Sequence, residues 1–163
     1  MFDPAINRSV FRDWRHCLAF GFGSGLARYA PGTFGTLVAI PLYLAISHLP
    51  AWLYAVTVVA AFALGVWVCD TVSRDLKVHD HGGIVVDEFV GYWITMFLAP
   101  VSVLSVTAGF VLFRLFDIWK PGPIRWCDRN VPGGFGIMLD DVAAGVVACA
   151  ALHLLLRAVG APT

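Results

Sequence analysis

The sequence predicts an all-α fold: one polytopic membrane helix bundle of about five membrane helices, with a re-entrant or irregular N-terminal segment. Three observations predict it. Of 163 residues, 59% are apolar and only 13% are charged, where a globular protein carries roughly 25% charged residues. Mean hydropathy is +0.78, so too little polar surface remains to cover a water-facing outside, and lipid is part of the solvent. The apolar residues also come in runs of near-membrane length, and the ionised residues gather at one end of those runs. The length supports a single domain, 1–163.

The first seventeen residues read as a short cytosolic arm. They carry Arg8, Arg12, Asp13 and Arg15 but no apolar core with a cleavage site. Ile6, Val10, Phe11 and Trp14 recur at spacings of three and four, the pattern of an interfacial amphipathic helix. In Leu18 to Ala30, the alternating Gly21, Gly23 and Gly25 each weaken a helix by roughly 1 kcal/mol, which predicts irregular backbone. A first apolar run, Phe34 to Leu49, follows Thr33, its expected N-cap. The second, Ala51 to Cys69, has 19 residues without a charge, close to the ~20 that span a bilayer. The third is Ile84 to Pro100, the fourth Val101 to Phe116 and the fifth Ile137 to Leu156. The third and fourth are short, which requires a thinned bilayer or helices partly buried in protein.

With the N-terminus inside, segments 1–33, 70–88 and 114–141 face the cytosol. They hold every Lys and Arg except Arg157, and all 11 Asp and Glu. The positive-inside rule fixes that orientation, and the bundle has one chemically equipped face. A soluble helical domain with these runs as core is the alternative, and it lacks the charges to cover its surface. A net charge of 0 argues against a nucleic-acid partner. The four cysteines form no CxxC pair, so neither zinc nor a disulfide framework is expected, and buried thiols are.

On the inner face the acidic residues come in pairs. His79 to Gly91 reads HDHGGIVVDEFVG, with Asp87-Glu88 at the mouth of the third run, and Asp140-Asp141 sits in MLDDVAAG at the fifth. Adjacent carboxylates against apolar segments are costly to desolvate unless paired, cation-bound or at a wet pocket. We expect Asp87, Glu88, Asp140 and Asp141 to hold Mg²⁺ or a related oxygen-loving cation. Simple partnership with the helix dipole is the plainer reading of Asp140-Asp141. Arg114 and Asp117 share a face of the fourth helix, as a structural pair or as part of the site. Arg114 and Arg125 offer forked donors to a phosphate, and Lys120 a point charge. Thr33 is a cap first and a phosphate contact second, and His79 or His81 either relays a proton or hydrogen-bonds a carboxylate. Lys120-Pro-Gly-Pro-Ile-Arg125 reads as a stiff turn and Gly133-Gly134-Phe-Gly136 as a flexible one. Metal, cations and amide donors together are the equipment of phosphoryl transfer. A small cation carrier using the same carboxylates is the second hypothesis, and it needs polar groups in the outer halves, which are Leu, Val, Ala, Phe and Ile.

Three blocks, GFGSGLARYAPGTFGT, HDHGGIVVDEFVGYWITMF and FRLFDIWKPGPIRWCDRNVPGGFGIMLDDVAAG, closely resemble the bacterial phosphatidylglycerophosphatase A family from about Leu18 to Gly145. The resemblance implies a core over 18–145, with 146–163 as the end of the last helix and a tail. It implies a multi-pass enzyme of the bacterial inner membrane whose site faces the cytoplasm. Such an enzyme uses Mg²⁺ to hydrolyse the anionic phospholipid phosphatidylglycerophosphate to phosphatidylglycerol and phosphate. The family pattern falls on Asp80, Asp87, Glu88, Arg114, Asp117, Lys120, Pro121, Asp128, Asp140 and Asp141. On that basis Asp80, Asp87, His79 and Asp117 are expected to take part in the reaction itself. No CxxxxxR loop supplies a cysteine nucleophile, so hydrolysis by a metal-activated water is expected, with a covalent aspartyl-phosphate left open.

Overall fold

The computed structural model describes residues 4–78 and 81–160. Among these every regular element is helical: α1 Pro4–Arg12, α2 Trp14–Ala19, a 3₁₀ segment Gly21–Leu26, α3 Pro31–Ile46, α4 Ala51–Leu76, α5 Val86–Thr95, α6 Val103–Trp119, α7 Gly122–Asn130 and α8 Gly133–Ala158. The glycine-rich stretch is irregular as composition implies, with Phe22 at φ 57° and Gly23 at φ 98° inside the 3₁₀ segment.

The arm is folded onto the body. In α1 Val10 is fully buried while Phe11 is 70% exposed, and Trp14 of α2 is exposed as well. Asp13 caps α2 by accepting from the Arg15 N–H at 2.9 Å. His16 then ties α2 to the end of α4 through Asp75, with Nε2 3.2 Å from Oδ2.

Among the described residues two helices, α4 and α8, have the length and apolarity to cross a membrane, not five. Each has 26 residues, about 39 Å at 1.5 Å per residue. The α3 helix has 16 residues and α6 has 17. The expected third span fails on length, because α5 has only 10 residues, about 15 Å. It is sunk in the bundle instead, with Val86, Glu88, Phe89, Val90, Gly91, Tyr92 and Thr95 all buried.

The hub is α8, which packs against α4, α5, α6 and α7, while α3 lies on α5. Close approach of α5 and α8 comes from two glycines. A Cβ on Gly145 would run into the Gly91 carbonyl, and one on Gly91 would meet the Asp141 carbonyl at 2.8 Å. Thr95 Oγ1 bridges the pair, donating toward Gly91 O at 3.0 Å and Gly145 O at 3.4 Å. Each glycine follows its acidic pair by about one helical turn. The contact that joins the two backbones therefore also brings Asp87-Glu88 and Asp140-Asp141 to one level.

Several expected boundaries move. Ala30, not Thr33, is the N-cap of α3, in a left-handed conformation with Pro31 at the first helical position. The proline turn after Lys120 winds into α7. Gly133 to Gly136 form the first turn of α8 rather than a flexible linker, because a Cβ at Gly134 would strike the α4 backbone at Val66 and Asp70. Asp140 and Asp141 consequently lie two turns inside α8 and are not partners of its N-terminal dipole.

Candidate functional site

Where α3, α5, α6 and α8 meet, a cavity of about 270 Å³ is lined by Gly32, Asp87, Glu88, Arg114, Asp117, Lys120 and Asp140, among others. The larger cavity of the molecule, about 540 Å³, lies beside it and holds none of these groups. We take the smaller one as the candidate site because the ionised side chains converge there.

Consecutive helical residues point about 100° apart, and both acidic pairs are split by that angle. On α5, Asp87 stays at the cavity edge, where its Oδ1 accepts from the Glu88 N–H at 3.0 Å. Glu88 turns into the bundle. Its Oε2 accepts from the Thr36 N–H at 3.2 Å and from Thr36 Oγ1 in a shorter bond, and lies 2.9 Å from Arg114 Nη1. The same Arg114 nitrogen is 2.7 Å from Asp117 Oδ2. Gly32 makes room for this network, since a Cβ there would collide with Glu88 Oε1 and the Arg114 guanidinium. Glu88, expected among the metal ligands, is thus already engaged by a cation and two α3 donors.

On α8, Asp140 Oδ2 accepts from Lys120 Nζ at 2.5 Å. Lys120 ends α6 in a left-handed conformation, φ 45°, next to Pro121. Asp141 is 3% exposed, and its Oδ2 has no hydrogen-bond partner among the described residues. Asp117, Asp140 and Asp141 each offer an oxygen, all within 4.8 Å of one another. Five carboxylates thus gather around two cations: Asp87, Glu88, Asp117, Asp140 and Asp141 against Arg114 and Lys120. A buried carboxylate oxygen without a donor is costly. A divalent cation at the Asp117–Asp140–Asp141 cluster fits this donor set, which is all hard oxygen.

The remaining expected residues fall elsewhere. Thr33 is in the first turn of α3, where its N–H donates to Ala30 O at 2.9 Å, and it does not line the cavity. Arg125 is exposed on α7 and donates to Trp119 O at 3.3 Å, also outside the cavity. His81 lines the neighbouring cavity and accepts from the Gly83 N–H at Nδ1, 3.1 Å away. His79 and Asp80 lie outside the described residues, as does the side chain of Asp128. Sequence reasoning missed Thr36. Its signal was the repeat PGTFGT, which sets Thr36 one turn beyond Gly32 on the same face; Thr36 Oγ1 also donates to Gly32 O at 3.0 Å.

Comparison with known proteins gives the same picture from another side. The family described as phosphatidylglycerophosphatase A matches residues 17–156. A phosphatidylglycerophosphatase A of Escherichia coli is 50% identical over 94% of this chain and 90% of its own length. One from Haemophilus influenzae is 46% identical over 82% of this chain and 83% of its own. A putative phosphatidylinositol-3-phosphatase of Bacteroides thetaiotaomicron is 40% identical over 77% of this chain and 83% of its own. No solved structure matches the chain.

Proposed function

The chain belongs to the phosphatidylglycerophosphatase A family, and on that premise we propose that it hydrolyses phosphatidylglycerophosphate to phosphatidylglycerol and phosphate in phospholipid biosynthesis. The observation that carries the chemistry is the Asp117–Asp140–Asp141 cluster with its unpartnered buried oxygen. A dianionic phosphate ester is repelled by five carboxylates and attracted by only two cations. A divalent cation would offset most of that excess negative charge and supply a positive partner for the phosphoryl oxygens.

Mg²⁺ is the ion we assign, with Asp117, Asp140 and Asp141 holding it and Asp87 at the rim. When bound, it would neutralise charge on the phosphoryl oxygens and make the water that attacks phosphorus easier to deprotonate. This chain's own groups do the rest. Lys120 and Arg114 lie at the cavity wall and donate to the phosphoryl oxygens. Glu88 and Thr36 fix the guanidinium so that little reorganisation is needed when the phosphate arrives. Asp87 accepts the proton of the attacking water as its oxygen bonds to phosphorus. The bond from phosphorus to the glycerol oxygen breaks, and that oxygen takes up a proton. His79 and Asp80, within the family motif, are the residues we assign to that return.

We further propose that the protein is a multi-pass protein of the bacterial inner membrane, with the site at the cytoplasmic face. In this arrangement α3 and α6 complete the crossing beside α4 and α8, in a bilayer thinned around the two shorter helices, while α5 stays inside the bundle. The exposed Leu37 and Leu44 on α3, Val56, Val59 and Leu64 on α4, and Val111 and Leu115 on α6 support contact with acyl chains.

The test is phosphate release from phosphatidylglycerophosphate in detergent micelles by the purified protein. EDTA should abolish it, and added Mg²⁺ should restore it. Asp140→Asn should lower it about a hundredfold, a loss of the size that follows removal of one preorganised electrostatic group, with the helical circular dichroism unchanged. Release that survives EDTA would remove the metal from the account.

A further inference from the structure

The larger cavity adjoins the catalytic one and has the opposite character. It measures about 540 Å³ and is bounded by α1, the 3₁₀ segment and the loop before α5. Pro31 and Gly82 line both cavities, so one wall separates them. Asp87, Glu88, Asp117 and Asp140 line the catalytic cavity, whereas among the described residues no carboxylate lines the larger one. Its polar side chains are Arg28, Asn7, His81 and Tyr29.

Two of these are set up as donors. The Arg28 guanidinium carbon lies 5.6 Å from the centre of the Tyr29 ring, a contact that occupies a face of the planar group and leaves its in-plane N–H groups available. His81 Nδ1 accepts from the Gly83 N–H at 3.1 Å. An accepting Nδ1 puts the proton of the neutral ring on Nε2, so that nitrogen is a donor. Phe20 holds the imidazole from the side, ring centres 5.5 Å apart.

We propose that this second cavity seats the phosphodiester of the same lipid headgroup, with Arg28 and His81 as its donors. The inference rests on the phosphatase reading above and deepens it. Under that reading the substrate carries two phosphates joined by one glycerol: the terminal monoester that is cleaved and the diester that leads to the acyl chains. With the monoester among the carboxylates and their cation, the diester comes to rest one glycerol away, across the Pro31–Gly82 wall. The charges match. A diester bears a single negative charge, needs no metal, and meets one full cation and, among the described residues, no opposing carboxylate. The pair of cavities then selects lipids that carry both phosphates over a lipid whose only phosphate is the monoester.

Arg28 is exposed, so its substitution leaves the packing intact. In detergent, Arg28→Gln should raise KM for phosphatidylglycerophosphate about tenfold, the loss of one charge-assisted hydrogen bond, with kcat within about twofold of the wild type. Arg28→Lys should recover part of the difference. Glycerophosphoglycerol, a soluble diester with neither acyl chains nor a monoester, should inhibit the wild type competitively and the Arg28→Gln variant about tenfold more weakly. Inhibition by inorganic phosphate, which reads only the carboxylate cavity, should not change. Calorimetric binding of glycerophosphoglycerol to both proteins repeats the comparison without turnover. An unchanged KM in Arg28→Gln, or equal affinity of the two proteins for glycerophosphoglycerol, would overturn the proposal. A wild type that releases no phosphate from the lipid would count against the enzyme reading instead, and the calorimetric arm would still decide the cavity.

Discussion

Arg114 and Arg125 look alike in the sequence, two forked donors suited to a phosphate, yet their surroundings separate them. Arg114 sits between Glu88 and Asp117 at 2.9 and 2.7 Å, whereas Arg125 is exposed and donates to the Trp119 carbonyl. An ammonium has neither the reach nor the planar set of donors of a guanidinium. Arg114→Lys should therefore cut phosphate release at least about tenfold, and Arg125→Lys should stay within about twofold; initial rates on the lipid check both. Thr36→Val removes the hydroxyl donor from Glu88 at nearly constant volume and keeps the backbone N–H, leaving a buried carboxylate oxygen half satisfied. It should destabilise the fold by about 1–3 kcal/mol, seen as a lower midpoint in a detergent thermal melt. The acidic residues themselves were legible, because two carboxylate pairs against apolar runs are too costly to be incidental. Their division of labour was not. Whether Glu88 faces a metal or an arginine depends on the rotation of α5 about its axis, which α3 and α6 fix through Thr36 and Arg114.

The helices meet through glycine. Sequence patterning picked out VVDEFVG and MLDDVAAG as similar, and the structure supplies the reason: Gly91 and Gly145 are the contact that lets α5 and α8 touch. Gly145→Ala places a methyl against the Gly91 carbonyl. Overpacking of this kind costs about 1–3 kcal/mol, and the acidic pairs would also be pushed apart. Both the melting midpoint and the rate of phosphate release should fall, where a purely structural contact would lower the midpoint alone. Element boundaries were harder to read. Gly133 to Gly136 have poor helix propensity, and α8 nevertheless starts there because tertiary packing on α4 outweighs it. The N-terminal arm was legible as an amphipathic helix, though not that Val10 would be fully buried.

Composition and the length of the apolar runs predicted a helical molecule, and every regular element among the described residues is helical. Counting apolar runs overcounted the helices long enough to cross a membrane, because a buried helix such as α5 and a largely exposed one such as α4 are equally apolar in sequence. Only packing tells them apart: 28% of the apolar window of α4 is buried, against seven of the ten residues of α5. The proposed orientation makes a whole-molecule prediction. His48, in the turn after α3, is exposed, and so is Arg74 near the end of α4. In spheroplasts, a membrane-impermeant maleimide should label His48→Cys and not Arg74→Cys; the reverse pattern would invert the topology.

The account depends most on Asp141, whose buried, unpartnered oxygen joins Asp117 and Asp140 at one point. The most direct test is Mn²⁺ binding to the purified protein, followed by electron paramagnetic resonance in wild type and Asp141→Asn. We predict one saturable class of bound ion in the wild type, displaced by Mg²⁺ and weakened about tenfold or more in the variant. Equal binding in the two proteins, or none in either, would contradict the claim that these three aspartates form the metal site.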